Sequence, residues 1–182
     1  MGGIMSEQMN KPHAIIVMGV SGCGKSSVGE KLAEALHLAF VEGDALHPAA
    51  NVEKMSKGIP LTDEDRMPWL DLIGEDMQAS LDKSEGIIVS CSALKRVYRD
   101  RLRAAVGGNL SFVYLEGSKA LLTKRMGERK GHFMPVSLLE SQLATLEVPT
   151  GEPGVATVDI DDTVDGIAAT ALKGLAVLGI TA

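Results

Sequence analysis

Apolar runs alternate with helical stripes along this chain. AIIVMG, Ala14 to Gly19, is continuously apolar, as expected of a strand buried on both faces. In SSVGEKLAEALH the positions Val28, Leu32, Ala35 and Leu36 fall at helical spacing. AFVE reads as a second short strand. From Leu46 to about Ser84 two helical patterns follow, one around AANVEKM and one from Asp63 to Leu81 with a stripe of Met67, Leu70, Ile73, Met77 and Leu81. KGIPLTDED separates them with a Gly and a Pro, and Thr62 is placed to cap the second. Strand patterns return in GIIVSCSA, LSFVYLEG and ATVDID. Helices are predicted between and after them: LKRVYRDRLRAAV, a segment through Leu121, Leu122 and Met126, Leu138 to Leu146, and Val164 to Leu178. This alternation predicts a parallel sheet covered on both faces.

Composition narrows the partners. The chain has 182 residues, enough for one domain with a substantial core. A formal net charge of -6 and only 3% aromatics argue against nucleic-acid and membrane-surface binding. Basic groups that matter should therefore be local and aimed at a small anion. Cys23 and Cys91 lack metal spacing and suggest a reducing compartment, and the four histidines lack zinc-site spacing. Residues 1–12 read as a disordered leader without the apolar region of a secretory signal, and no run approaches the roughly 20 residues that span a bilayer. The expected location is cytoplasmic, with residues 13–182 as one domain.

The strongest motif is GVSGCGKS, Gly19 to Ser26, which fills every fixed position of G-x-x-x-x-G-K-[ST] between a predicted strand and a predicted helix. Gly22 and Gly24 allow the backbone to turn successive N–H groups toward phosphate oxygens. Lys25 can reach the outer phosphates and the Ser26 hydroxyl can ligate Mg²⁺. Cys23 is read as a small filler. In an open parallel sheet, ligands bind beyond the carboxyl ends of the strands. Glu42 and Asp44 in FVEGDALHP therefore project toward the rim that holds the phosphate loop. Phosphoryl transfer to a hydroxyl needs a carboxylate to orient it and oxygen groups to support the metal's water shell, roles that suit Asp44 and Glu42 respectively. Helix capping or loop solvation is the plainer use of Asp44.

Cations suggest the acceptor. Lys95, Arg99 and Arg103 are four apart on a helix expected to begin at Ser92, forming one stripe whose start lies at the active rim. Such a stripe suits an anionic acceptor, although an ordinary solvated face is the alternative. Arg66 could be neutralised by Asp63 and Asp65. RMGERKGHF gathers Arg125, Arg129, Lys130 and His132 in a glycine-bounded stretch that reads as a lid excluding water.

Together GVSGCGKSSVG, EGDALHPAANVEKMSKGIPLTDEDRMPWL, CSALKRVYRDRLR, FVYLEG, RKGHFMPVSLLESQLATLEVP and VDID resemble the gluconate kinase family, small P-loop kinases akin to shikimate and adenylate kinases. The resemblance implies a three-layer α/β/α fold with a five-stranded parallel sheet in the order 2-3-1-4-5, a substrate-binding helical insert at residues 46–84 and a lid at 127–136. It implies ATP- and Mg²⁺-dependent phosphorylation of D-gluconate at its C6 hydroxyl, giving 6-phosphogluconate and ADP for carbohydrate acid catabolism and the pentose phosphate pathway. Gly19, Val20, Ser21, Gly22, Cys23, Gly24, Lys25, Ser26 and Ser27 would hold the nucleotide, with Arg125 stacked on adenine. Lys25, Asp44 and Arg129 would be catalytic, and Ser26 and Glu42 would serve the metal. Asp44, Arg66, Lys95, Arg99 and His132 would meet the acceptor, with His47 and Gln142 as further candidates. Members of the family resemble one another in being homodimers. A kinase for another small acid such as shikimate, or an ATP-binding module that closes without chemistry, would share this framework. The joint presence of Lys25, Ser26 and Asp44 favours an enzyme.

Overall fold

A computed structural model of the chain describes residues 12–128 and 136–182. Five parallel strands form one sheet: β1 (Ala14–Met18), β2 (Ala39–Glu42), β3 (Ile87–Ser90), β4 (Leu110–Glu116) and β5 (Val155–Asp159). Their order is β2-β3-β1-β4-β5, the one the family resemblance implies. All five β1 residues are buried, because β3 and β4 flank the strand and helices cover both faces. A continuous apolar run is what that environment selects.

The helices are α1 (Lys25–Leu36), α2 (Ala49–Ser56), α3 (Asp63–Asp82), α4 (Arg96–Ala105), α5 (Lys119–Glu128), α6 (Val136–Thr145) and α7 (Val164–Val177), with a 3₁₀ turn at Gly43–Leu46. The architecture is three-layer α/β/α; α1 packs on α7 while α3 pairs with α4. In α1 the buried stripe is Val28, Leu32, Ala33 and Leu36, so Ala33 takes the inward place expected of Ala35. In α3, Leu70, Ile73 and Met77 are buried, with Met67 and Leu81 at the margins of the stripe. Thr62 caps α3 as expected: its hydroxyl accepts from the Asp65 N–H, while the Asp65 carboxylate accepts from the Thr62 N–H.

One boundary differs from the sequence reading. α4 begins at Arg96, not at Ser92, because Ala93 adopts a left-handed φ of 46° and Lys95 is extended. The Glu147 carboxylate accepts from the Arg96 N–H at 2.8 Å, which satisfies the start of the helix there. Lys95 therefore precedes the helix and shares no helical face with Arg99.

Candidate active site

The chain leaves β1 at Met18 and turns through the glycine-rich loop into α1. Gly22 and Gly24 hold φ of 85° and 92°, in the region that glycine adopts without strain. Gly24 caps α1 with no side-chain hydrogen bond, so the helix start presents backbone N–H groups suited to an anion. Lys25 is buried, and its ammonium donates to the Val20 carbonyl at 3.3 Å. Burial alone would lower its pKa, but the Cys23 sulfur first, and then Asp44, Cys91 and Glu42, outweigh this and raise it. Val20 and Cys23 are buried in the loop and Ser27 is exposed on α1. The Cys23 thiol is pushed up in pKa by burial, as a packing residue should be.

Two contacts tie this loop to other elements. The Ser26 hydroxyl donates to Glu42, 2.7 Å from Oε1 and 2.6 Å from Oε2. The Gln142 side-chain carbonyl, from α6, accepts from the Ser21 N–H at 2.8 Å. Gln142 thus grips the phosphate loop while also lining the cleft beside it.

That cleft holds about 610 Å³ of open space, mouth included. Lys25 and Ser21 line it together with Asp44, His47, Arg66 and Trp69. Asp44 stands exposed on the 3₁₀ turn that follows β2. Trp69 fixes the turn by donating Nε1–H to the Gly43 carbonyl at 2.7 Å, and His47 stacks on its ring at 3.9 Å. The Asn51 amide nitrogen lies 2.9 Å from the Asp65 carbonyl, to which it must donate, and 3.2 Å from His47 Nδ1. Nδ1 is therefore the acceptor and Nε2 carries the proton. Burial first, and Arg66 second, pull the His47 pKa down to about 4, so the ring is neutral at pH 7.

Arg66 is buried, and its Nη1 donates to the Tyr98 hydroxyl at 2.9 Å. Tyr98 in turn donates to Asp63, which also accepts from Lys95 Nζ at 2.9 Å. Asp65 is occupied by Lys54 and by the cap of α3. Arg66 is therefore aimed by Tyr98, with Asp63 one step removed. Motif reading singled out neither Trp69, which lines the cleft, nor Tyr98, which holds Arg66. The available signals were the single Trp of an aromatic-poor chain and its place next to DEDR.

The cationic stripe is not found. Arg99 is fully buried and belongs to the structural core, a correction to its expected contact with substrate. It donates Nε and Nη2 to Glu152 at 2.9 and 2.6 Å, and other N–H groups to the Ala93 and Glu147 carbonyls, each at 2.8 Å. Arg103 joins Glu152 at 3.0 Å and lies over the Phe112 ring. Lys95 is half-buried on Asp63, outside the cleft lining. Arg125 donates to the Ile160 and Asp162 carbonyls at 2.5 and 3.1 Å, holding the loop after β5. Arg129, Lys130 and His132 lie outside the described residues, as does most of the expected lid.

A family model described as an AAA domain matches residues 15–149. The gluconokinase of Gluconobacter oxydans is 52% identical over 150 residues, 81% of this chain and 83% of that one. The thermoresistant gluconokinase of Escherichia coli is 42% identical over 170 residues, 93% of this chain and 97% of that one. The crystal structure of a gluconokinase from Sinorhizobium meliloti, 56% identical, superposes with a TM-score of 0.85 over 93% of this chain and 94% of that one. A phosphate loop and a carboxylate-bearing turn lining one cleft, together with this identity along most of the chain, place the chain in the gluconokinase family of P-loop kinases.

Proposed function

We propose that this chain transfers the terminal phosphoryl group of ATP to the C6 hydroxyl of D-gluconate, yielding 6-phosphogluconate and ADP for carbohydrate acid catabolism and the pentose phosphate pathway. The observation that carries the reading is Asp44, exposed on its turn and lining the same cleft as Lys25. The acceptor hydroxyl would lie between them. The Asp44 carboxylate would orient that hydroxyl and take its proton as the new O–P bond forms. The Lys25 ammonium would offset charge on the phosphoryl oxygens. Arg66, with its bidentate fork aimed by Tyr98, suits the acid end of gluconate, and neutral His47 would donate through Nε2 to a hydroxyl.

The donor set fits Mg²⁺. Ser26 gives its proton to Glu42, which leaves the hydroxyl lone pairs for a hard cation and holds a carboxylate beside them. Among the described residues no cluster of three His, Cys, Asp or Glu could hold a metal alone. When bound, the ion would neutralise phosphate charge. Residues 46–84 would form the acceptor-gripping insert, and residues 127–136, with Arg129 and His132, a lid. Arg125 would lie against the adenine. We read the protein as a cytoplasmic homodimer; no helix among the described residues is long and apolar enough to cross a membrane.

Asp44→Asn is expected to keep ATP binding and to lower kcat by about a hundredfold or more, the scale of a positioned base. A coupled assay across gluconate, other sugar acids, shikimate and nucleoside monophosphates checks the acceptor. Near-normal turnover by Asp44→Asn, or strong preference for another acceptor, overturns the reading.

A further inference from the structure

Ser90 ends β3 after Ile87, Ile88 and Val89, and it is fully buried. A hydroxyl there breaks an apolar strand and must be satisfied. Its neighbour across the ladder is Glu42. Ser90 Oγ lies 2.7 Å from Glu42 Oε1 and 3.2 Å from the Gly43 N–H. A backbone N–H can only donate, so Oγ accepts from Gly43 and its single proton goes to Glu42. Glu42 simultaneously holds the Ser26 hydroxyl of the phosphate loop. Gly43 immediately precedes Asp44, and a side-chain carbon at Gly43 would sit 1.9 Å from the Ser90 carbonyl oxygen. The turn is thus pressed onto the end of β3 and hydrogen-bonded to it by one side chain.

From this geometry we infer that Ser90 is a positioning residue for the reaction. Its hydroxyl sets the Asp44 turn in register with the Ser26–Glu42 pair, so that the acceptor side and the phosphate side of the cleft keep a fixed separation. This rests on the reading of Asp44 as the hydroxyl-orienting carboxylate. Ser90 is not among the residues that line the cleft and acts through Gly43 and Glu42.

The test is Ser90→Ala in the full chain, with Ser111→Ala as control. Ser111 is another buried strand serine whose hydroxyl meets His13 at 2.9 Å, at the sheet's opposite end. Ser90→Ala is expected to lower kcat about 10- to 100-fold while both KM values, and the affinity for an ATP analogue titrated without metal, stay within about twofold. Ser111→Ala should keep its kcat, and Ser90→Thr, which retains the hydroxyl, should recover most of the loss. In an Asp44→Asn background, Ser90→Ala should cause almost no further loss, because its action passes through Asp44. A kcat within twofold of the parent, a loss confined to KM, or a full additional loss in the Asp44→Asn background overturns the proposal. Should Ser90→Ala not fold, Ser90→Cys, a weaker donor of similar shape, is expected to show a smaller kcat loss, and parental kcat from it overturns the proposal equally. Activity retained by Asp44→Asn would instead defeat the underlying reading, whatever Ser90→Ala does.

Discussion

Glu152→Gln distinguishes a core-pairing role for Arg99 from a substrate-contact one. Side chains of Arg99 and Glu152 are 0% and 3% exposed, and they meet through two parallel N–H···O bonds of 2.9 and 2.6 Å. Glutamine preserves the shape but removes the charge and turns an NH₂ toward a guanidinium donor. Arg99 then stays buried without a counter-ion, and Arg103 loses its better-buried partner. Removing one member of a buried pair costs about 3–5 kcal/mol. For a chain of this size each kcal/mol moves Tm by about 2–4 °C. Taking the lower cost, because Arg103 retains Asp100, a fall of about 6–12 °C is expected.

Thermal melts by circular dichroism measure this, and steady-state kinetics well below the melt supply the second axis. KM for gluconate should remain within about threefold, since neither residue lines the cleft. The pH dependence has a definite sign. Hydrogen bonds from Arg99 hold the Glu152 pKa below the usual glutamate range. Its stabilisation is therefore complete above the ordinary glutamate pKa and is lost as pH falls through the depressed folded value. The gap in Tm between parent and variant should be full at pH 7 and should close on strong acidification. A Tm shift under about 2 °C, or a large rise in KM at unchanged Tm, would refute the structural role.

Two further outcomes follow from the acceptor side. His47 stays neutral down to about pH 4 when folded but charges near 6.5 when unfolded, so the unfolded chain binds more protons in between; urea midpoints should show the parent losing up to about 3 kcal/mol more than His47→Gln from pH 7 to 4, and parallel curves would remove the burial argument. Gly43→Ala must move the turn off the Ser90 carbonyl; we expect about 2–3 kcal/mol of destabilisation and a kcat loss exceeding any change in KM, and parental melting and kinetics would show that the close approach is unimportant.

How far the sequence reached depended on the kind of signal. Strands announced themselves because central parallel strands are apolar on both faces, so AIIVM and IIV needed no partner to be legible. The phosphate loop was legible because its glycines and Lys25 have one local purpose. Arg99 was misread because charge was taken to mean exposure. Its helical position, three before buried Leu102, places it on the inward face, while Val97 at 52% exposed points out. The partner that makes this tolerable, Glu152, lies 53 residues away in a loop, and a pairing across that distance leaves no local pattern. Trp69 was equally hidden: its hydrogen bond to the Gly43 carbonyl joins α3 to a turn far upstream. The order of the sheet came from family resemblance, since apolar runs do not say which strand lies beside which.

The two carboxylates of Glu42-Gly43-Asp44 show why close spacing permitted opposite tasks. Two residues apart on a continuing strand they would project from one face, and like charges side by side would hinder each other. β2 instead stops at Glu42 and a 3₁₀ turn begins at Gly43. Glu42 keeps the strand direction and reaches Ser26 and Ser90; Asp44 is swung by the turn into the cleft. Only a residue without a side chain fits at the hinge, because the Ser90 carbonyl oxygen occupies the space a Cβ would need. Three consecutive residues thereby separate a carboxylate that braces the phosphate loop from one that lines the cleft. That division depends on the backbone bend more than on either acid's chemistry, which is why Gly43 and Ser90, which do not line the cleft, shape it along with Trp69, which does.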